Sequence, residues 1–174
     1  MESIRSSFKQ NFASCLDSKM RSFQFKILHR VLTTNIFLKK CKIKQDDKCT
    51  FCKNVPESIE HLFWDCSLVK KFWKNVSEKF KLYFNLNNYL NKKNVLLGVT
   101  QGGHKELANL IINSCKRYIY KTKFISVYLN VETVFCSIKS IFNIEQNIVL
   151  KRGFNMSKFE KKWLPVFPLF LNDD

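Results

Sequence analysis

The sequence predicts a mainly α protein: an irregular helical domain with a small CCHC zinc-knuckle-like insertion. Three observations lead there. Hydrophobic residues make up 45 % of the 174, with 17 Phe against only 4 Gly and 3 Pro. Long apolar side chains with few breakers favour helices over strands and turns. Apolar positions recur every three or four residues along most of the chain, the stripe of an amphipathic helix. One stretch, 49–66, departs from that pattern and carries soft metal ligands instead. The length suits one domain, or one domain with a small metal module. An Asn- and Lys-rich connector at 85–94 is the natural boundary. It divides the chain into a helical zinc-binding domain, 1–84, and a helical C-terminal extension, 85–174, packed on the first part.

In order along the chain, Ile4, Phe8, Phe12 and Leu16 mark one face of a first helix over 3–16. Met20, Phe23, Phe25, Ile27, Leu28, Val31 and Leu32 predict a second over 18–33, too apolar to be one-faced and so expected to run through the core. A shorter helix at 35–41 follows, with Thr33 or Thr34 as its N-cap. After the ligand stretch, Ser67 is the expected cap of a helix over 68–84, striped by Leu68, Phe72, Trp73, Val76, Phe80 and Phe84. Residues 95–99 read as a short extended segment or strand. The 101–104 stretch is a turn, with His104 on the surface near a helix start. Leu107 to Ile119 predicts a long helix from Lys105 to about Lys123, and Asn130 caps another from Val131 to about Lys151, stopped by Gly153. A short helix at 157–163 precedes Pro165 and Pro168, which rule out further helix over 164–170.

Within 49–66, Cys49, Cys52, His61 and Cys66 stand at C-x2-C-x8-H-x4-C. Two thiolates on one tight turn grip an ion, and a second pair downstream closes the tetrahedron that structural zinc prefers. Asn54 is the residue expected in the left-handed conformation of that turn. A helix at 58–64 would present His61 inward. Five residues do not keep His61 and Cys66 on one face of an ideal helix, so the helix should end near Trp64 with Cys66 in the next turn. Cys41, eight residues before Cys49, is the one rival ligand; with Cys15, Cys115 and Cys136 it is expected to be a free, buried thiol.

His29-Arg30-Val31-Leu32-Thr33-Thr34-Asn35, the two cysteines Cys49 and Cys52, Glu60-His61-Leu62-Phe63-Trp64-Asp65-Cys66 and Phe72-Trp73 resemble the zinc-binding segment of LINE-type (non-LTR) retrotransposon reverse transcriptases. The sharp match covers about residues 20–75. The remainder looks like the same family's C-terminal extension. The resemblance implies a nucleic-acid-binding accessory domain that is not catalytic, with a retroelement polymerase as a further partner.

Composition points the same way. Thirty Lys+Arg against 14 Asp+Glu give a net charge of +16. Such a surplus favours a polyanion through counterion release. RNA or DNA is the expected partner, held at phosphates by Lys39, Lys40, Lys42, Lys44, Lys48, Lys53, Lys70, Lys71 and Lys74. Phe51, between two ligands, could stack on a base; Phe63 and Trp64 are expected in the core. The alternatives are a zinc-bearing protein–protein interaction module, or a degenerate element fragment without selected function. An enzyme is not expected. Asp46-Asp47 is the only internal Asp pair and lies in a lysine-rich linker, whereas polymerase chemistry needs placed carboxylates for two metal ions. Four protein ligands leave zinc no position for water, so Zn2+ is read as structural. The polar N-terminus and the lack of a run of about 20 apolar residues predict an intracellular protein, nuclear or cytoplasmic, not inserted in a membrane.

Overall fold

The computed structural model describes residues 17–125, 128–153 and 155–171. The helix expected at 3–16, and Cys15 within it, lie outside them. Among the described residues the protein is mainly helical, and its β-pairing is one antiparallel bridge between Lys48 and Pro56. The helices are α1 (Ser18–Leu28), α2 (Asn35–Lys40), α3 (Ser67–Phe80), α4 (Lys92–Leu97), α5 (Lys105–Ile125), α6 (Val131–Arg152), α7 (Met156–Trp163) and α8 (Phe167–Leu171). Short 3-10 turns stand at Leu86–Asn88 and Leu164–Val166.

Helix α5 is the axle. Its Leu107, Ile111, Ile112, Cys115 and Ile119 are fully buried, and α1, the ligand stretch, α6 and α7 pack around it. One hydrophobic cluster runs from Phe23 to Phe170 without a break. Tyr118 and Tyr120 of α5 lie against Phe72 and Phe23, at 5.8 and 5.5 Å between ring centroids. At the other end Phe142 of α6 collects Phe159, Trp163, Phe167 and Phe170.

Several elements differ from expectation for local reasons. Helix α1 stops at Leu28 and buries only Phe23, Gln24 and Ile27, so it is one-faced after all; Phe25 and Val31 are exposed. It ends with Arg30 at φ 60°, and the Val31 amide reaches back to the Lys26 carbonyl. Helix α2 ends the same way, with Lys42 at φ 58° and Ile43 bonded to Leu38. Both are left-handed C-terminal closures in a position glycine usually fills. Thr34 does cap α2, its hydroxyl accepting from the Phe37 amide. Cys66, not Ser67, takes the N-cap position of α3, which ends at Phe80.

The 95–99 segment is helical through Leu97 and turns out at Gly98 (φ 94°). Asn109 then clamps Val99, its side chain bonding both the amide and the carbonyl at 2.8 and 2.9 Å. The two prolines do not prevent helix. Pro165 opens the 3-10 turn and Pro168 falls in the first turn of α8, where a missing N–H leaves no bond unmade. Val166 and Phe170 are thereby buried. Cys115 is a core thiol, pushed up in pKa by burial, but Cys41 and Cys136 are exposed, contrary to expectation.

Candidate metal centre

The segment between α2 and α3 has little regular structure, and its backbone is pinned point by point. Its first half is a knuckle. The Cys49 amide bonds the Val55 carbonyl at 2.7 Å, and the Lys53 amide bonds the Cys49 carbonyl at 3.0 Å. Lys53, at φ 59°, holds the left-handed position expected of Asn54. The offset is one residue: the reversal falls directly after Cys52, so the residue there takes it whatever its type.

The second half is a helical turn opened to π geometry over His61–Asp65. The Cys66 amide bonds the His61 carbonyl at 3.0 Å, five residues back. This is how a five-residue spacing brings the imidazole and the third thiol onto one side. The turn widens where a break near Trp64 was expected. Trp73 of α3 donates its indole N–H to the Phe63 carbonyl at 2.8 Å, so a carbonyl in the widened turn keeps a buried partner. Phe63 fills the core, packed edge-on to Phe23 at 6.1 Å, and Trp64 is half-buried.

Cys49, Cys52, His61 and Cys66 converge, with ligand atoms all within 4.8 Å of one another. Cys49 Sγ lies 3.9 Å from Cys66 Sγ, and Cys52 Sγ lies 3.3 Å from His61 Nε2. A tetrahedral ion with bonds of about 2.3 Å to sulfur and 2.0 Å to nitrogen has edges of about 3.8 and 3.5 Å. The donor set fits zinc in kind and spacing. Cys41 is exposed and outside the group.

The electrostatics favour a thiolate at Cys66. The Cys49 thiol donates to it, the first-turn amides of Val69 and Leu68 face it, and His61 adds charge, lowering its pKa to about 5 against the effect of burial. The same hydrogen bond and burial push Cys49 up. Glu60, beside His61, is turned away to Arg30. Burial is the largest influence and raises that carboxyl, but the Arg30 hydrogen bond, a backbone hydrogen bond and the charges of Arg30 and Lys92 together hold Glu60 below its ordinary value.

A second pin has no trace in the motif. Glu57 is completely buried between the two ligand pairs. Its Oε1 accepts from the Asn35 amide at 3.0 Å and from Lys123 Nζ at 2.5 Å, and its Oε2 from the Thr50 amide at 3.0 Å. Asn35 adds bonds to the Lys48 carbonyl and the Thr50 hydroxyl. Lys123 also donates to the Thr33 carbonyl at 3.1 Å. One carboxylate thus joins the start of α2, the knuckle and the end of α5. Nothing in the spacing of Glu57 announced it, and Lys123 read as an ordinary cation at a helix end.

The residues expected at phosphates separate cleanly. Lys39, Lys40, Lys42, Lys44, Lys48, Lys53, Lys70, Lys71 and Lys74 are all exposed. Lys39 pairs with Asp47 at 2.9 Å, and Lys74 with Glu78 at 4.0 Å, one turn along α3. Phe51 is 4 % exposed and belongs to the core, which corrects its assignment as a stacking residue. Its ring belongs to the hydrophobic cluster that includes Ile59, Leu62 and Phe63, while Lys53 and Asn54 after it face solvent.

Residues 2–73 match the family model described as zinc-binding in reverse transcriptase. The match contains all four converging ligands. No curated protein and no solved structure matches the chain. No helix among the described residues is long and apolar enough to cross a membrane.

Proposed function

With residues 2–73 a zinc-binding domain of the reverse-transcriptase kind, we propose that the chain is a non-catalytic accessory domain of LINE-type descent that holds RNA or DNA. Zn2+ on Cys49, Cys52, His61 and Cys66 is structural: it closes a segment with too little core to fold alone. The observation that carries this reading is the convergence of those four side chains in a stretch flanked along the sequence by exposed lysines. Lys40, Lys42, Lys44, Lys48 and Lys53 follow the chain through the knuckle, and Lys70, Lys71 and Lys74 continue onto α3. Lysine is a compact charge on a flexible stem, which suits contact with phosphates more than bidentate reading of bases. The net charge of +16 supports the same partner.

The test is binding of the zinc-loaded protein to RNA and DNA oligonucleotides across a salt series. Affinity that falls steeply with salt is the expected result. Absence of binding at low salt removes the reading.

A further inference from the structure

The turn at 101–104 and the short helix α7 have no part in the metal centre, yet the fold sets them side by side. Between the start of α5 and α7 lies a cleft of about 420 Å³. Four lysines line it, Lys105, Lys158, Lys161 and Lys162, with His104. Lys162 is engaged: its Nζ bonds both oxygens of Glu145, at 2.7 and 2.9 Å. Lys105, Lys158 and Lys161 make no ion pair among the described residues, and Glu106, the single acid in the lining, pairs with none of them.

Elsewhere some lysines are answered by an acid, as Lys39 by Asp47, Lys79 by Glu132 and Lys92 by Asp65, and others, Lys42 and Lys44 among them, are exposed and make no ion pair among the described residues. Here three ammonium groups share a concave site with one carboxylate. Walls of low dielectric focus their field, and their mutual repulsion is relieved by an anion between them. Several oxygens on one centre let a phosphate accept from more than one ammonium at once.

We propose that this cleft binds a phosphate group, as a free polyphosphate or as the terminal phosphate of a nucleic-acid strand. The site is separate from the lysines around the knuckle. Lys105 and Lys123 stand about 27 Å apart by the rise of α5, so the cleft and the Glu57 anchor occupy opposite ends of that helix. The proposal does not depend on the function argued above.

The experiment uses the full chain, wild type and two double variants of equal charge loss: Lys158→Ala/Lys161→Ala in the cleft, and Lys42→Ala/Lys44→Ala at the knuckle. Sodium pyrophosphate is titrated by calorimetry, and oligonucleotides with 5′-phosphate or 5′-hydroxyl ends are compared by anisotropy. The cleft variant is expected to lose about tenfold or more in pyrophosphate affinity while the knuckle variant stays close to wild type. If pyrophosphate does not bind, but wild type prefers the 5′-phosphorylated strand and only the cleft variant loses that preference, the source is a strand end. Neither selective loss, or equal losses in both variants, overturns the proposal.

Discussion

The amide of Cys66 donates to the carbonyl oxygen of His61 at 3.0 Å, so two of the four metal ligands are joined through the backbone. The bond spans five residues and defines the widened turn. Inserting an alanine between Trp64 and Asp65 would make the spacing six and carry Cys66 further round the axis, away from His61. The expected result is a loss of zinc affinity of at least about 100-fold, read by chelator competition, because displacing a ligand should exceed the 10–100-fold typical of losing an outer-shell partner. Unchanged affinity would show that the π geometry does not matter to the site.

Cys49→Ser and His61→Ala should each abolish stoichiometric zinc in the purified protein, measured by metal analysis. Chelation of the wild type should lower its melting temperature, since metal binding is folding free energy for such a segment. Full zinc content in both variants would mean that the ligand assignment is wrong.

Lys123→Met leaves the Glu57 carboxylate buried without its countercharge. Removal of one partner of a buried pair costs about 3–5 kcal/mol. Adding Glu57→Gln should recover part of that loss, and the double-variant cycle in denaturant measures the coupling. Simple additivity of the two changes would contradict the pairing at 2.5 Å.

Lys42→Ala/Lys44→Ala should weaken nucleic-acid binding and reduce the slope of log affinity against log salt by about 2, near one unit per phosphate contact. Both side chains are exposed and unpaired among the described residues, so the melting temperature should hardly move. An unchanged slope would remove these two lysines from the interface.

Phe51→Ala separates packing from stacking. A buried Phe truncated to Ala costs about 3–5 kcal/mol. The variant should therefore melt earlier, while nucleic-acid affinity, measured well below its melting point, stays at the wild-type level. The opposite pattern would restore Phe51 to the binding face.

Much of this was legible because it is local. Thr34 and Asn130 as caps, Gly153 as a stop and the stripes of α3 and α5 depend on residues a few positions apart. The four ligands declare themselves by chemistry as well as spacing. What escaped was set by distant contacts or by backbone geometry that residue type does not reveal. Arg30, Lys42 and Lys53 take left-handed positions in a chain with too few glycines to mark them. Val166 and Phe170 are drawn into helical turns by the aromatic cluster at Phe142, which outweighs the warning of two prolines. Glu57 finds its lysine only when α5 has folded against the ligand stretch.

That last contact bears on where the molecule can be cut. The recognised segment closes at residue 73, yet the cation its buried acid relies on belongs to the far half of the chain. A truncated product ending there would lose the wall that covers Phe23, Phe63 and Phe72, along with the partner of Glu57. It should come out of the cell as clumps rather than as a smaller working unit, so the sensible piece to express runs on through the end of the long central helix and what packs on it.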